Sequence, residues 1–323
     1  MNRPSVNLPS PNPVTNTSYN EANQMLTFDG KNMIYDENGN LISVTNSCGT
    51  TTYTWDARNR LVGISGFNAQ CSSLSAAFKY DALGRRIEKT INGRTIQFLY
   101  DGLDIVQEIE NGQVTVNYIR TLNIDEPLAR IKADGTIRYF QQDALGSVIA
   151  LTDETGAIKT QYTYDPFGNV TISGEPSDSP FQYTGRENDG TGLYYYRARY
   201  YSPELQRFIS EDPILRMKLH LVTFEFCRSI NQNLSMFPLF QFMLKEPQDF
   251  HPYVYAKNNP IKYIDPKGLQ SCKEDPECMG RCRAAYFIVC SMYCDLIPHP
   301  GYWLGCNIIC FAVGEIVCHQ QCK

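Results

Sequence analysis

The residues most able to do chemistry are the cysteines. Nine of the twelve fall in the 54 residues from Gln270 onward: Cys272, Cys278, Cys282, Cys290, Cys294, Cys306, Cys310, Cys318 and Cys322. Apart from Cys272, they are mirror-symmetric about Pro300, each half reading Cys-x3-Cys-x7-Cys-x3-Cys. Three chemistries are open to such a set: disulfide staples, one or more thiolate metal sites, or buried free thiols. The mirror spacing suits an antiparallel helical hairpin that turns at Pro298, Pro300 and Gly301, because nested partners then face each other. That arrangement predicts Cys278–Cys322, Cys282–Cys318, Cys290–Cys310 and Cys294–Cys306. At 100° per residue the two Cys-x3-Cys pairs of each half point in different directions, so one straight helical seam cannot hold all four bridges. Cys272 is left unpaired or linked to Cys48, Cys71 or Cys227. The apolar filling between the pairs is unlike the polar loops of most zinc sites, and no metal or other cofactor is predicted. A unit this small needs cross-links to fold alone.

Other catalytic chemistry is poorly provided for. The four histidines, His220, His251, His299 and His319, are too dispersed for a metal or nuclease site. The tail has no His/Asp/Glu cluster, and its helical stretches are apolar and nearly uncharged. Membrane perturbation or partner binding therefore suits the tail better than catalysis. A net charge of −5 with scattered basic residues excludes an obvious nucleic-acid surface.

The elements before the tail belong to a repeat of an aromatic, an Asp, a turn and a new strand. Its copies begin at Tyr35, Trp55, Tyr80, Tyr100, Gln142 and Tyr164. Asp36, Asp81, Asp143 and Asp165 each precede a Gly by three residues, a pattern in which the carboxylate accepts backbone N–H groups and the Gly takes positive φ. Asn59 and Asp104 stand in the Gly position of two copies and are expected to tolerate left-handed backbone. Aromatics spaced by two, Tyr53/Trp55, Phe78/Tyr80, Phe98/Tyr100 and Tyr162/Tyr164, share one strand face and predict a ladder of rings. These aspartates read as turn caps, not catalytic acids. The fold class is mainly β: stacked hairpins forming a partial β-shell, followed by a small Cys-rich helical hairpin.

Five segments follow. Residues 1–26, rich in Pro, Asn and Ser, read as a disordered lead-in without a classical signal peptide. Residues 27–214 are the repeat core. Residues 215–252 are an apolar insertion, expected either to pack on the shell or to be foreign sequence that disturbs the geometry of the cleavage described below. Residues 253–269 close the core, and 270–323 are the variable tail. No apolar run reaches the ~18 residues of a membrane span.

Two stretches carry a family resemblance: YTGRENDGTGLYYYRARYYSPELQRFISEDPI from Tyr183 and PIKYIDPKGL from Pro260. In them, and in the repeats from Thr27, the chain closely resembles the Rhs/YD-repeat family, whose shells also occur in insecticidal toxin complexes and teneurins. The resemblance implies a β-sheet container around a variable toxin, cut by its own core just after the boundary motif. The scissile bond would be Leu269–Gln270. Two core aspartates would make the cut: Asp212, in Ser-Glu-Asp-Pro, and Asp189, although many relatives carry the acid where this chain has Asn188. The implied protein is the C-terminal portion of an Rhs-type polymorphic toxin. It would be secreted or surface-exposed through a specialised route, with an immunity protein, a secretion-system component or the rest of a shell as partners. The alternatives are a non-enzymatic surface interaction protein and a degenerate orphan cassette.

Overall fold

The computed structural model describes residues 16–213 and 251–269. Sixteen strands, β1 (Thr17–Tyr19) to β16 (Val170–Gly174), form one antiparallel sheet in which each strand pairs with its neighbours in sequence. Four short strands, β17 (Glu187–Asn188), β18 (Tyr194–Tyr196), β19 (Arg199–Ser202) and β20 (Arg207–Phe208), form a second sheet. The fold is mainly β, as the sequence predicts.

The aspartate turns make this meander. Asp36 Oδ1 accepts from the backbone N–H groups of Asn38 (2.9 Å) and Asn40 (2.8 Å), and Asp143 Oδ1 does the same for Leu145 (2.9 Å) and Ser147 (2.8 Å). The residue three positions on must take positive φ, +76° at Gly39 and +57° at Asn59. Asp104 departs from this pattern. It opens β10 (Asp104–Glu110) directly opposite Asp101, and Gly102 takes the positive φ, because the connection is a tight turn with Gly102 and Leu103 at its tip. Asp153 caps one further turn, accepting from Thr155 and Ala157. It has no aromatic before it, which is why the aromatic-Asp pattern passes over it.

The expected ring ladder takes a different form. The last aromatic of each rung donates to the carbonyl five residues beyond the aspartate of the preceding copy. Trp55 Nε1 reaches Leu41 O (2.8 Å), Tyr80 OH reaches Leu61 O (2.6 Å), Tyr100 OH reaches Arg86 O (2.9 Å) and Tyr164 OH reaches Val148 O (2.7 Å). A donor is required there, so Trp can replace Tyr whereas Phe would leave a carbonyl unpaired. The ring-to-ring contacts run largely to the tyrosine-rich segment that follows the large sheet, as from Phe78 to Tyr200 of β19 and from Tyr164 to Tyr183 in the turn before β17.

The inner face of the large sheet is therefore not empty. Leu193, Tyr195, Tyr200, Leu205 and Ile209 pack with Met25, Leu41, Leu61 and Phe78 in one core, and Phe181 joins Tyr118 and Phe140 in another. A third cluster gathers Tyr183, Tyr194, Tyr196, Tyr201, Phe208 and Tyr255.

Three details bear on the expected segments. The sheet starts at Thr17, inside the stretch 1–26, because the Asn20 side chain caps a first hairpin by accepting from Ala22 and Gln24. Cys48 and Cys71 are bonded to each other, with Cα atoms 5.1 Å apart, so neither is available to Cys272. Finally, the core chain on either side of the insertion is joined: Asp212 N donates to Pro252 O at 3.0 Å, and Arg207 bridges Val254. The tail, its four predicted bridges, Cys227, Cys272, His220, His299 and His319 lie outside the described residues.

Candidate cleavage site at the core boundary

The closing segment of the core is held by arginines that the second sheet supplies. Arg197 and Arg199 sit two apart around the turn from β18 into β19, with Arg197 at φ +60°. Arg199 is 2 % exposed and lies over Phe208, its guanidinium carbon 3.6 Å from the ring centroid. It donates to Pro252 O (3.2 Å) and to Gly268 O, and Nη2 pairs with both Asp212 Oδ2 (3.1 Å) and Asp265 Oδ2 (3.2 Å). The other oxygen of Asp265 accepts from Leu269 N at 3.0 Å. One buried cation thus gathers two carboxylates and the peptide immediately before the predicted scissile residue.

Backbone geometry fixes the approach. Gly268 has φ +64°, and a Cβ there would run into the Tyr196 carbonyl and the Arg199 amide. Glycine is the residue that lets the segment lie against the β18–β19 turn. Ala198 N donates to Lys267 O at 3.2 Å, adding one strand-like bond.

Asp189 lies elsewhere. Its side chain is fully buried against β8 (Arg86–Ile91), where it accepts a two-pronged contact from Arg86 and a 3.0 Å bond from Lys89 Nζ. Glu187 Oε2 meets the same guanidinium at 2.5 Å. Burial would raise the Asp189 pKa, but the Arg86 and Lys89 charges outweigh it and hold the carboxyl below its ordinary range. Asp189 is thereby kept ionised. The cations on Asp189 are Arg86 and Lys89, whereas Asp212 shares Arg199 with Asp265. Asp265 was present in the boundary motif as its Asp-Pro step, and only the fold brings it to Asp212.

Asp125, in the turn before β12 (Pro127–Lys132), forms a third cluster. It pairs with Arg186 Nη1 (2.6 Å) and with Arg197 Nη2 (2.7 Å). Burial opposes its charge, yet the two guanidiniums hold it below the usual carboxylate range. Among the described residues no three His, Cys, Asp or Glu side chains converge as a metal set, and no helix is long and apolar enough to cross a membrane.

A long antiparallel meander of aromatic-Asp hairpins, folded over a tyrosine-rich segment that ends in an anchored boundary motif, defines a YD-shell protein. The sequence pattern of the teneurin YD-shell family matches residues 7–261, and the chain belongs to that family. It is 33 % identical over 260 residues to the tRNA3(Ser)-specific nuclease WapA of Bacillus spizizenii, a match covering 78 % of this chain and 10 % of that protein. It is 27 % identical over 285 residues to the toxin protein Tse5 of Pseudomonas aeruginosa, covering 77 % of this chain and 19 % of Tse5. Of solved structures it is similar to the crystal structure of TcdB2-TccC3, at a TM-score of 0.48 and 19 % identity over 74 % of this chain and 14 % of that one. The chain spans less than a fifth of the length of these two relatives.

Proposed function

We propose that this chain is the part of an Rhs-type polymorphic toxin shell that borders the cargo, and that it hydrolyses its own Leu269–Gln270 bond to free the Cys-rich tail. The carrying observation is Arg199, whose guanidinium holds Asp212, Asp265 and the Gly268 carbonyl together. A carboxyl pair performs such a cut with one proton between its two members. The ionised member takes a proton from water as the oxygen attacks the Leu269 carbonyl carbon. The protonated member gives its proton to the departing Gln270 nitrogen. The products are a Leu269 carboxylate and a Gln270 amine.

The tail acts on a membrane or a partner protein, since it lacks a recognisable acid–base cluster. An immunity protein, a secretion-system component and further shell sequence are the partners, in keeping with relatives that are toxins. The Cys48–Cys71 bond supports a destination outside the reducing cytosol.

The intact mass of the purified chain tests the cut. The parent is expected as two pieces, the smaller beginning at Gln270. Asp212→Asn and Asp265→Asn stay whole, and Asp189→Asn is still cut. Equal processing of Asp212→Asn and parent would remove the protease role, and a whole Asp189→Asn chain of native stability would restore Asp189 to the pair.

A further inference from the structure

Two other arginines converge on one carbonyl of the boundary segment. Arg197 Nη1 donates to Pro266 O at 2.5 Å and Arg186 Nη1 to the same oxygen at 3.3 Å. Two guanidiniums on one carbonyl would repel each other in so buried a place. Asp125 relieves this by accepting from both, Oδ1 from Arg186 at 2.6 Å and Oδ1 and Oδ2 from Arg197 at 2.7 and 3.0 Å. All three groups come from different parts of the chain: a turn of the large sheet, the entry to β17, and the β18–β19 turn. Asp125 has φ +64°, and a Cβ on Gly185 would run into its carbonyl, so its backbone is closely placed as well.

The consequence concerns register. Pro266 O is fixed by Arg186 and Arg197, Lys267 O by Ala198 N, Gly268 O by Arg199, and Leu269 N by Asp265. Successive peptide groups are pinned up to the Leu269 amide, and the next carbonyl is that of the bond to be cut. Building on the cleavage reading above, we infer that Asp125, Arg186 and Arg197 are positioning residues that set which peptide bond meets the carboxyl pair. They act on Pro266 O and on one another, three residues before the scissile carbonyl. Their contribution is to stop the segment sliding by a residue, a shift that would carry Gly268 or Gln270 into the place of Leu269.

Arg197→Ala and Asp125→Asn, made in the full chain, test this through the identity of the products. A clamp that sets register predicts tail fragments starting at residues other than Gln270, with the Gln270 fragment formed on the order of 100-fold more slowly, the cost expected of an ångström-scale misplacement. A purely structural role would lower the yield at the same single site. Arg197→Lys, which keeps a charge for Asp125 and a donor for Pro266 O, is expected to restore the single Gln270 start. Hydrogen exchange on the same substitutions in an Asp212→Asn background reads the clamp without any cleavage. Amides of 267–269 should lose protection while β1–β16 keep theirs. A single Gln270 start at parental rate in Arg197→Ala, or unchanged exchange at 267–269, would overturn the inference. A parent chain that is never cut would fail the cleavage reading alone, since the exchange experiment still decides whether the clamp exists.

Discussion

Arg86 has no exposed surface, and its guanidinium answers to two acids 101 and 103 residues away, Glu187 and Asp189. Removing one partner of such a buried group leaves an uncompensated charge. Asp189→Asn should therefore cost about 3–5 kcal/mol in urea unfolding. Tyr80→Phe deletes a single hydroxyl that bonds Leu61 O and also meets Tyr200 OH, so a loss of ~1 kcal/mol is expected. Asp178 provides a pH test. Burial works against its charge, but Arg130 at 2.7 Å and Lys132 at 3.1 Å bring its pKa down from 3.8 to about 2. Because the folded value is depressed, its stabilisation is complete above the unfolded pKa and fades as pH falls through about 2. The side chain is 42 % exposed, so salt screens the effect. Asp178→Asn should flatten the acid limb of a stability–pH curve, more so at low ionic strength.

Among the elements, what could be read from sequence was what is local. The Asp-x-x-Gly turns announce themselves because carboxylate, amides and left-handed glycine all fall within five residues. The period-two aromatics gave the strand faces, but not the bond each rung makes to the copy before it, since that acceptor is a backbone carbonyl and carries no side-chain signature. The boundary cluster was half legible. Asp212 and the boundary motif stand out as motifs. Arg199, Arg197 and Arg186 are ordinary arginines in a tyrosine-rich run until the β18–β19 turn and the 251–269 segment meet. Asp189 stands out as an acid near the expected slot, whereas its pairing with Arg86 and Lys89, 103 and 100 residues away, is set by the fold. Removing one turn cap, as in Asp143→Ala, takes the side-chain acceptor from two backbone N–H donors and should cost ~1 kcal/mol in thermal or urea unfolding, with little effect on the Arg199 cluster.

At the scale of the whole molecule, the Cys48–Cys71 bond ties the β4–β5 tip (β4, Leu41–Asn46; β5, Gly49–Trp55) to the β6–β7 tip (β6, Leu61–Phe67; β7, Ser73–Tyr80). Closing that 23-residue separation stabilises by roughly 3 kcal/mol on a chain-entropy estimate. Reductant should lower the unfolding midpoint of the parent but not of a Cys48→Ala/Cys71→Ala double variant. The bond between Asp212 N and Pro252 O has a parallel implication. Replacing residues 216–249 by a short Gly-Ser link should leave the fold and the Arg199 cluster intact, measured by the urea midpoint and by protection of the 251–269 amides.

In four copies the rung's hydroxyl or indole answers a carbonyl in the unit before it, always at the same offset from that unit's aspartate. Joints of that kind are interchangeable. A gene encoding such a wall can gain or shed whole units by unequal recombination, and each splice meets a ready-made fitting on both sides. The anchored end has no such freedom, because its arginines meet one particular segment.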